Sequence, residues 1–176
     1  MLRLAILRHA EAQPLTEAGD LERPLSNSGR DMAERMGRYF REAKLVPELS
    51  LVSPARRTRE TFEGLEKGAG QTFPVEYEAA LYNAALETLD EVVTATPKDV
   101  KFLLIVGHNP GFAEFANALA GEGKKTELSK MRTNFPTPCL AVIDFDVKSW
   151  KKAVAGEGRL DIFLTRNALA KAIAGE

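Results

Sequence analysis

Short, mostly apolar runs alternate with helical patterns along the first two thirds of the chain. The runs at residues 2–7, 49–52 and 102–106 are rich in Leu, Ile and Val, which is typical of strands enclosed on both faces of a parallel sheet. Between the runs, apolar residues recur at three- and four-residue spacing, as in Met32, Met36 and Phe40. This spacing predicts amphipathic helices that each bury one stripe.

The last third of the chain departs from this pattern. Residues 121–138 are polar and contain glycines, lysines and prolines, so we expect a long loop or flap there. Residues 139–145 and 160–164 predict two strands of a hairpin, and a short helix begins near residue 167. The element order predicts a three-layer α/β/α sandwich with a mostly parallel central sheet and an antiparallel edge.

Two serines mark the expected starts of helices. Ser26 precedes a helical pattern over about residues 27–43, where it predicts an N-cap. Ser53 and Pro54 precede the next helix, where they predict an N-cap and a first-turn proline. The glycines within residues 64–70 indicate the end of that second helix.

Length and composition limit the classes of function. The chain of 176 residues suits one domain over residues 1–176, and 44% hydrophobic with 28% charged residues is ordinary for a globular protein. The formal net charge of -1 gives no global attraction to nucleic acid or membrane. Cys139 is the single cysteine, and no apolar run approaches the roughly 20 residues of a membrane span. We therefore expect a cytoplasmic protein that binds neither nucleic acid nor membrane.

Cationic and imidazole side chains follow all three buried runs. Arg8 and His9 come directly after the first run, Arg57 lies in the first turn of the helix after the second, and His108 follows the third. Because ligands of open α/β sheets bind beyond the carboxyl ends of the strands, these groups are expected to converge. Together they would repel one another without an anion. A phosphoryl group fits, because guanidinium groups bind its oxygens bidentately and helix N-termini add N–H donors.

Each of these residues also has a purely structural explanation. A histidine at a strand end is more often a capping or core residue than a catalyst, and the arginines within residues 56–59 are usual on a solvated helix face. However, the sequence has only two histidines, and both directly follow predicted central strands. This coincidence favours a function. A nucleotide site is not indicated, since residues 107–111 lack both the P-loop and the three-glycine dinucleotide patterns.

Three motifs resemble a known family. The segments LRHAE at residues 7–11, SPARRTRET at residues 53–61 and VGHNP at residues 106–110 resemble the histidine phosphatase superfamily. They look most similar to its small bacterial members, the SixA-like phosphohistidine phosphatases. The family usually has Gly after the first histidine, where this chain has Ala10. The resemblance implies a phosphoglycerate mutase-like fold without a large inserted cap.

The resemblance also implies a role for each of the four residues. His9 would be the nucleophile that accepts the phosphoryl group, while Arg8, Arg57 and His108 would hold its oxygens. A nucleophilic histidine must be neutral, and two nearby guanidinium groups favour the unprotonated ring. His108 would become charged once phosphate is bound and would donate from both nitrogens. Water would then hydrolyse the phosphohistidine intermediate, and neither a metal nor another cofactor is expected.

The residue that protonates the leaving group is less clearly marked. Glu78 and Glu11 are candidate general acids, and Asp20, Glu76 and Glu87 are further carboxylates in the relevant segments. A phosphoester depends on such an acid. A phosphoramidate needs it less, because imidazole is a better leaving group than an alkoxide.

Together these features predict a phosphatase that acts on protein phosphohistidine and releases inorganic phosphate. Two alternatives stay open, a broad-specificity small-molecule phosphomonoesterase and a non-catalytic module that recognises a phosphorylated partner. The lysines of segment 121–138 belong to a solvated surface loop in one interpretation and contact a protein substrate in the other.

Overall fold

Seven strands form one mixed sheet at the centre of the computed structural model, which describes residues 1–174. Across the sheet the strand order is β3-β2-β4-β1-β6-β7-β5. In chain order the strands are β1 (Leu2–Arg8), β2 (Leu49–Val52), β3 (Val75–Tyr77), β4 (Phe102–Gly107), β5 (Ala120–Gly123), β6 (Cys139–Phe145) and β7 (Gly158–Thr165).

Six of these strands run in one direction. β1 pairs parallel with β4, β4 with β2, and β2 with β3, while β6 is antiparallel to both β1 and β7. β5 pairs parallel with β7 and therefore shares the direction of β1. The predicted mostly parallel sheet is confirmed, and so is the hairpin formed by β6 and β7. The reversed strand β6 lies inside the sheet between β1 and β7, and β5 takes the edge position beyond β7.

Helices cover both faces of the sheet, which confirms the predicted three layers. α1, α2 and α6 pack on one face, and α3, α4 and α5 pack on the other. The helices are α1 (Asn27–Glu42), α2 (Arg56–Ala69), α3 (Leu86–Thr94), α4 (Gly111–Leu119), α5 (Lys125–Thr133) and α6 (Arg166–Ala174). No helix in residues 1–174 combines the length and the apolar character needed to cross a bilayer.

The apolar run of β1 fills the core on both faces of the sheet. Its successive side chains point to opposite faces. Leu4 and Ile6 pack on the side of α3, α4 and α5, whereas Ala5 and Leu7 pack on the side of α1 and α2. All four are completely buried. This double burial explains why the strand is continuously apolar rather than alternating.

Glycines allow α1 and α2 to pack closely. A Cβ atom added at Gly68 would lie 1.9 Å from the carbonyl oxygen of Glu34, and one added at Gly37 would lie 2.1 Å from the carbonyl oxygen of Leu65. α2 therefore continues through two of the three glycines that were expected to end it. It ends at Gly70, which has a left-handed φ of 70°.

The prediction of a long loop over residues 121–138 is wrong. Most of this segment forms β5 and α5. β5 is short, and a register irregularity interrupts its pairing with β7. α5 buries only Leu128 and Met131, so its sequence carries too few apolar positions to reveal a helical period. At the other end of the chain, Ser26 caps α1 as predicted, because its Oγ accepts a hydrogen bond from the N–H of Gly29.

Candidate active site

The carboxyl ends of three neighbouring parallel strands meet at one edge of the sheet. Arg8 of β1 lies opposite Gly107 of β4, and Val52 of β2 lies opposite Val106 of β4. The residues that directly follow these strands therefore emerge side by side. This register is what brings distant parts of the sequence to one place.

A cavity of about 430 Å³ lies at this edge and contains all four residues predicted to act together. The ring centroids of His9 and His108 are 5.5 Å apart. The cavity is lined by Arg8, His9, Glu11, Ala12, Asp20, Arg23, Arg57, Asn83, His108, Asn109 and Thr137. Three guanidinium groups and two carboxylates thus surround two imidazoles, and the catalytic roles of these residues stay predictions.

His9 is held in one tautomer by the backbone carbonyl group of the next residue. Its Nδ1 lies 2.7 Å from the carbonyl oxygen of Ala10, which can only accept a hydrogen bond, so Nδ1 carries the proton. Nε2 is then left with a free lone pair. Burial, followed by the charges of Arg57 and Arg8, lowers the pKa of His9 to about 4. The ring is therefore neutral and nucleophilic near pH 7.

His108 is held by two side chains instead. Its Nδ1 lies 3.2 Å from Nη2 of Arg57, and because a guanidinium group can only donate, Nδ1 is the acceptor. The proton is then on Nε2, which lies 2.7 Å from Oγ of Ser53 and donates to it. Burial and the charge of Arg57 lower the pKa of His108 to about 3. Both nitrogens are engaged before any phosphate binds.

Ser53 therefore does not cap α2, and that prediction is wrong. The helix begins at Arg56, and its N-cap position is Ala55, which has no capping side chain. The hydroxyl of Thr58 donates to the carbonyl oxygen of Ser53 at 2.7 Å, while the Ser53 hydroxyl faces His108. A buried imidazole N–H needs an acceptor, and Ser53 supplies it.

Arg8, at the end of β1, and Arg57, in the first turn of α2, keep donors unpaired. Arg57 donates through Nη1 to the carbonyl oxygen of Asp20 at 2.8 Å and through Nη2 to Oδ2 of Asp20 at 3.0 Å. Arg8 donates through Nη1 to the carbonyl oxygen of Phe135 at 2.7 Å. In the part of the chain that the structure describes, the buried Nε atoms of both arginines have no acceptor. Such donors suit the oxygens of a phosphoryl group.

Asp20 is a member of the site that the sequence indicated only as one of several nearby carboxylates. Its carboxylate accepts hydrogen bonds from the hydroxyl of Tyr82, from Arg57 and, at 3.1 Å, from Nη1 of Arg23. These donors, with Tyr82 first, lower the pKa of Asp20 to about 2. Gly19, at φ 92°, directs the preceding loop into this position.

The two candidate general acids lie in different places. Glu11 lines the cavity, but its carboxylate accepts from the hydroxyl of Ser26 at 2.7 Å and from Arg166 at 3.2 Å, which lowers its pKa. Glu78 accepts from the N–H of Ala80 at 3.0 Å and lines a separate groove beside β3 and α3. Of these two residues, only Glu11 lines the same cavity as His9, and its hydrogen bonds favour the ionised carboxylate. The acid role of both residues stays a prediction.

The segment after α5 supplies part of the cavity wall. The carbonyl oxygen of Phe135 accepts from Arg8 and also from Nδ2 of Asn109 at 2.9 Å. Phe135 is itself buried against Phe163, so this carbonyl is firmly placed. Within residues 1–174 no three His, Cys, Asp or Glu side chains cluster as metal ligands would. The metal-free chemistry expected above stays a prediction.

Comparison with known sequences identifies the family of the chain. Residues 4–99 match the histidine phosphatase superfamily (branch 1), and the chain belongs to that family. Fold and site together thus define a phosphatase of this superfamily. An uncharacterized chloroplastic protein of Arabidopsis thaliana is 29% identical over 167 residues, covering 89% of this chain and 72% of that protein. An uncharacterized protein of Mycobacterium leprae is 32% identical over 126 residues, covering 71% of this chain and 76% of that protein.

Solved structures of SixA proteins have a similar fold. A candidate phosphohistidine phosphatase, SixA of Agrobacterium tumefaciens, is 28% identical with a TM-score of 0.78 and covers 93% of this chain and 97% of its own. A second candidate SixA, from Nakamurella multipartitia, has a TM-score of 0.81 at 23% identity, covering 93% of this chain and 95% of that one. At that identity the second match supports the fold alone.

Proposed function

We propose that this protein is a metal-independent phosphatase that hydrolyses protein phosphohistidine through a phosphohistidine intermediate on His9. The observation that carries the proposal is the state of the His9 ring. Its Nδ1–H is fixed on the Ala10 carbonyl, Nε2 keeps a free lone pair, and its pKa of about 4 leaves it neutral. A neutral imidazole beside guanidinium groups is what nucleophilic attack on a phosphoryl group requires.

In the first step Nε2 of His9 bonds to phosphorus while the P–N bond of the substrate breaks and the substrate imidazole leaves with the electron pair. Charge spreads over the equatorial oxygens in the transition state, and Arg8 and Arg57 stand beside His9 to stabilise it. Both guanidinium groups line the cavity, where their N–H groups can donate to those oxygens. The protein's contribution is positioning and charge, which is the main demand of phosphoryl transfer.

His108 changes its hydrogen bonds when the phosphoryl group enters. The dianion attracts Nη2 of Arg57, so Nδ1 of His108 loses its donor and, in the field of the dianion, takes up a proton. His108 then donates from Nδ1 to a phosphoryl oxygen while Nε2 still donates to Ser53. In the second step water attacks phosphorus, inorganic phosphate leaves, and His9 recovers its lone pair.

The choice of phosphohistidine rests on the leaving group and on the SixA similarity. Both cavity carboxylates are held ionised by strong donors, so neither offers a proton to an alkoxide near neutral pH. Imidazole leaves without such help. The SixA protein that matches at 28% identity is named as a candidate phosphohistidine phosphatase. The free lone pair of His9 argues against the non-catalytic recognition module.

The test compares kcat/KM of the purified protein on a phosphohistidine peptide and on an alkyl phosphate. We expect a preference of at least about tenfold for the peptide and an acid-labile phosphoryl group on His9 after digestion. A preference for the alkyl ester would instead identify a phosphomonoesterase. Tight binding of inorganic phosphate without any phosphoenzyme would identify a recognition module.

A further inference from the structure

Asp20 differs from the other carboxylate of the cavity in what it contacts. The Glu11 carboxylate is bound to Arg166 at its outer side, whereas Asp20 contacts Arg57, the same guanidinium group that contacts His108. Asp20 is therefore part of the phosphate-binding arrangement itself. Its side chain is 36% exposed, so a substrate that enters the cavity can reach it.

Resting on the proposed function, we propose that Asp20 is a catalytic residue that accepts a hydrogen bond from the leaving imidazole of the substrate and so selects phosphohistidine over phosphate esters. In a phosphohistidine, one ring nitrogen is bonded to phosphorus and the other can carry a proton. A carboxylate beside that N–H favours the protonated ring. The protonated ring is the form that departs as neutral imidazole.

The carboxylate has room for this hydrogen bond. Oδ2 of Asp20 accepts from Tyr82 and Arg57, while Oδ1 accepts from Arg23. Each carboxylate oxygen offers two acceptor positions, so Oδ1 can take one more N–H.

The transfer balances without a proton from the protein. The lone pair of His9 Nε2 forms the new bond to phosphorus while the P–N bond of the substrate breaks. The electron pair of that bond stays on the substrate nitrogen, and the other nitrogen keeps its proton. His9 becomes the cationic phosphohistidine, with Nδ1–H still on the Ala10 carbonyl. The substrate ring that gives up the phosphoryl group and the His9 ring that receives it are thus alike. In each ring, the nitrogen that is not bonded to phosphorus donates its N–H to an oxygen.

A phosphate ester has the opposite requirement. Its leaving alkoxide must receive a proton at the departing oxygen, and Asp20, with a pKa of about 2, has none to give near pH 7. An ionised carboxylate also repels the negative charge that develops there. The same residue therefore assists one leaving group and opposes the other.

The experiment measures the ratio of kcat/KM on a phosphohistidine peptide to kcat/KM on p-nitrophenyl phosphate. The p-nitrophenolate group leaves without protonation and has no N–H to donate, so this second substrate measures how the variant affects His9 and the phosphate-binding groups without a hydrogen bond to the leaving group. Asp20→Asn keeps the shape of the side chain and removes its charge. We expect the ratio to fall about 10²-fold. Glu11→Gln is the matched control, which removes a carboxylate from the same cavity and is expected to keep the ratio.

A pH profile provides a readout that a structural role would not change. The charged or titratable groups facing Asp20 are Arg57 from α2, Arg23 from its own loop, Tyr82 before α3 and His108 after β4. Titration of His108 affects the turnover of both substrates. The pH profile with p-nitrophenyl phosphate therefore separates the contribution of His108 from that of Asp20. With the peptide, we expect the alkaline limb of kcat in Asp20→Asn to lie about one pH unit below that of the wild type.

Three results would overturn the assignment. An equal loss on both substrates would mean that Asp20 only positions Arg57, and no loss on either substrate would mean that it does not meet the leaving group. If Asp20→Asn does not fold, the pH profile of the wild type tests the assignment. The alkaline limb of its kcat must lie above the ring pKa of the free phosphohistidine peptide measured by ³¹P NMR, and a limb at or below that pKa is the third result. Absence of any wild-type activity on the peptide would refute the proposed function itself, which the first two results leave intact.

Discussion

The two histidines of the site occupy equivalent positions in the fold and yet are held differently. Each follows a central parallel strand, and the strands β1 and β4 are neighbours. His9 binds a backbone carbonyl through Nδ1 and keeps Nε2 free, whereas His108 uses both nitrogens, one toward Arg57 and one toward Ser53. The Ala10 carbonyl leaves a free lone pair on Nε2 of His9, whereas the lone pair on Nδ1 of His108 is occupied by Arg57.

This difference assigns complementary roles to chemically identical side chains. A ring with a free lone pair can attack phosphorus. A ring whose Nδ1 accepts from Arg57 becomes a donor only after an anion draws that guanidinium group away. The hydrogen-bond partners, rather than the position in the fold, thus determine which histidine is the nucleophile.

Removing the nucleophile should have the largest effect on activity. His9→Asn should lower kcat/KM on p-nitrophenyl phosphate by at least about 10³-fold and abolish the phosphoenzyme, because no other free imidazole lone pair faces the phosphoryl group. Quenched-flow labelling with mass spectrometry of the His9 peptide measures both. Activity within tenfold of the wild type, in a folded variant, would refute the assignment.

His108→Asn should have a smaller effect of a different kind. It removes a donor to the transition state, so kcat should fall by about 10²–10³-fold. The phosphoryl group should still appear on His9, more slowly, in the same labelling experiment. Loss of the phosphoenzyme together with unchanged phosphate affinity would mean that His108, not His9, is modified.

Ser53→Ala tests how His108 is held. The variant leaves the buried Nε2–H of His108 without its acceptor, which should cost about 1–3 kcal/mol in the free energy of unfolding and lower kcat about tenfold. Ser50→Ala is the matched control, since Ser50 lies on β2 three residues before Ser53, is completely buried, and has no partner for its Oγ within residues 1–174. Equal losses of stability in the two variants would contradict the positioning role.

The smallest effect is on stability near neutral pH. In the unfolded chain both histidines gain protons near pH 6.5, whereas in the fold His9 and His108 stay neutral down to about 4 and about 3. The unfolded state binds more protons, so stability must fall as the pH falls from 7 to 6, by about 1 kcal/mol in total. Urea unfolding measures this, and the slope should vanish when both histidines are replaced by Asn. A rise in stability toward pH 6 would show that the rings are charged in the fold.

Much of the architecture was predictable because buried parallel strands are continuously apolar. The runs that became β1, β2 and β4 were predicted within a residue or two, and with them the convergence of Arg8, His9, Arg57 and His108. β5 and α5 were missed, since short polar elements depend on packing partners that no local pattern reveals.

Other parts of the site could not be inferred from local sequence. Asp20 meets Tyr82 across 62 residues and Arg57 across 37, and Ser53 meets His108 across 55. Ser53 also fits the local sequence pattern of a helix N-cap, so the sequence predicted a capping role instead of the contact with His108. A contact over such distances is created by the register of the strands, and the sequence near each residue carries no sign of it.

By itself, the sequence determined the layered fold and the set of groups brought to the carboxyl edge of the sheet, because apolar periodicity and chain order suffice for these. The family was indicated by the resemblance of three short motifs. Only the tertiary structure decided which ring keeps a lone pair, which carboxylate faces the phosphate-binding arginines, and where the buried N–H groups find acceptors. Protonation and tautomer depend on burial and on hydrogen bonds a few ångströms long. Those are fixed only when residues far apart in the chain are packed together.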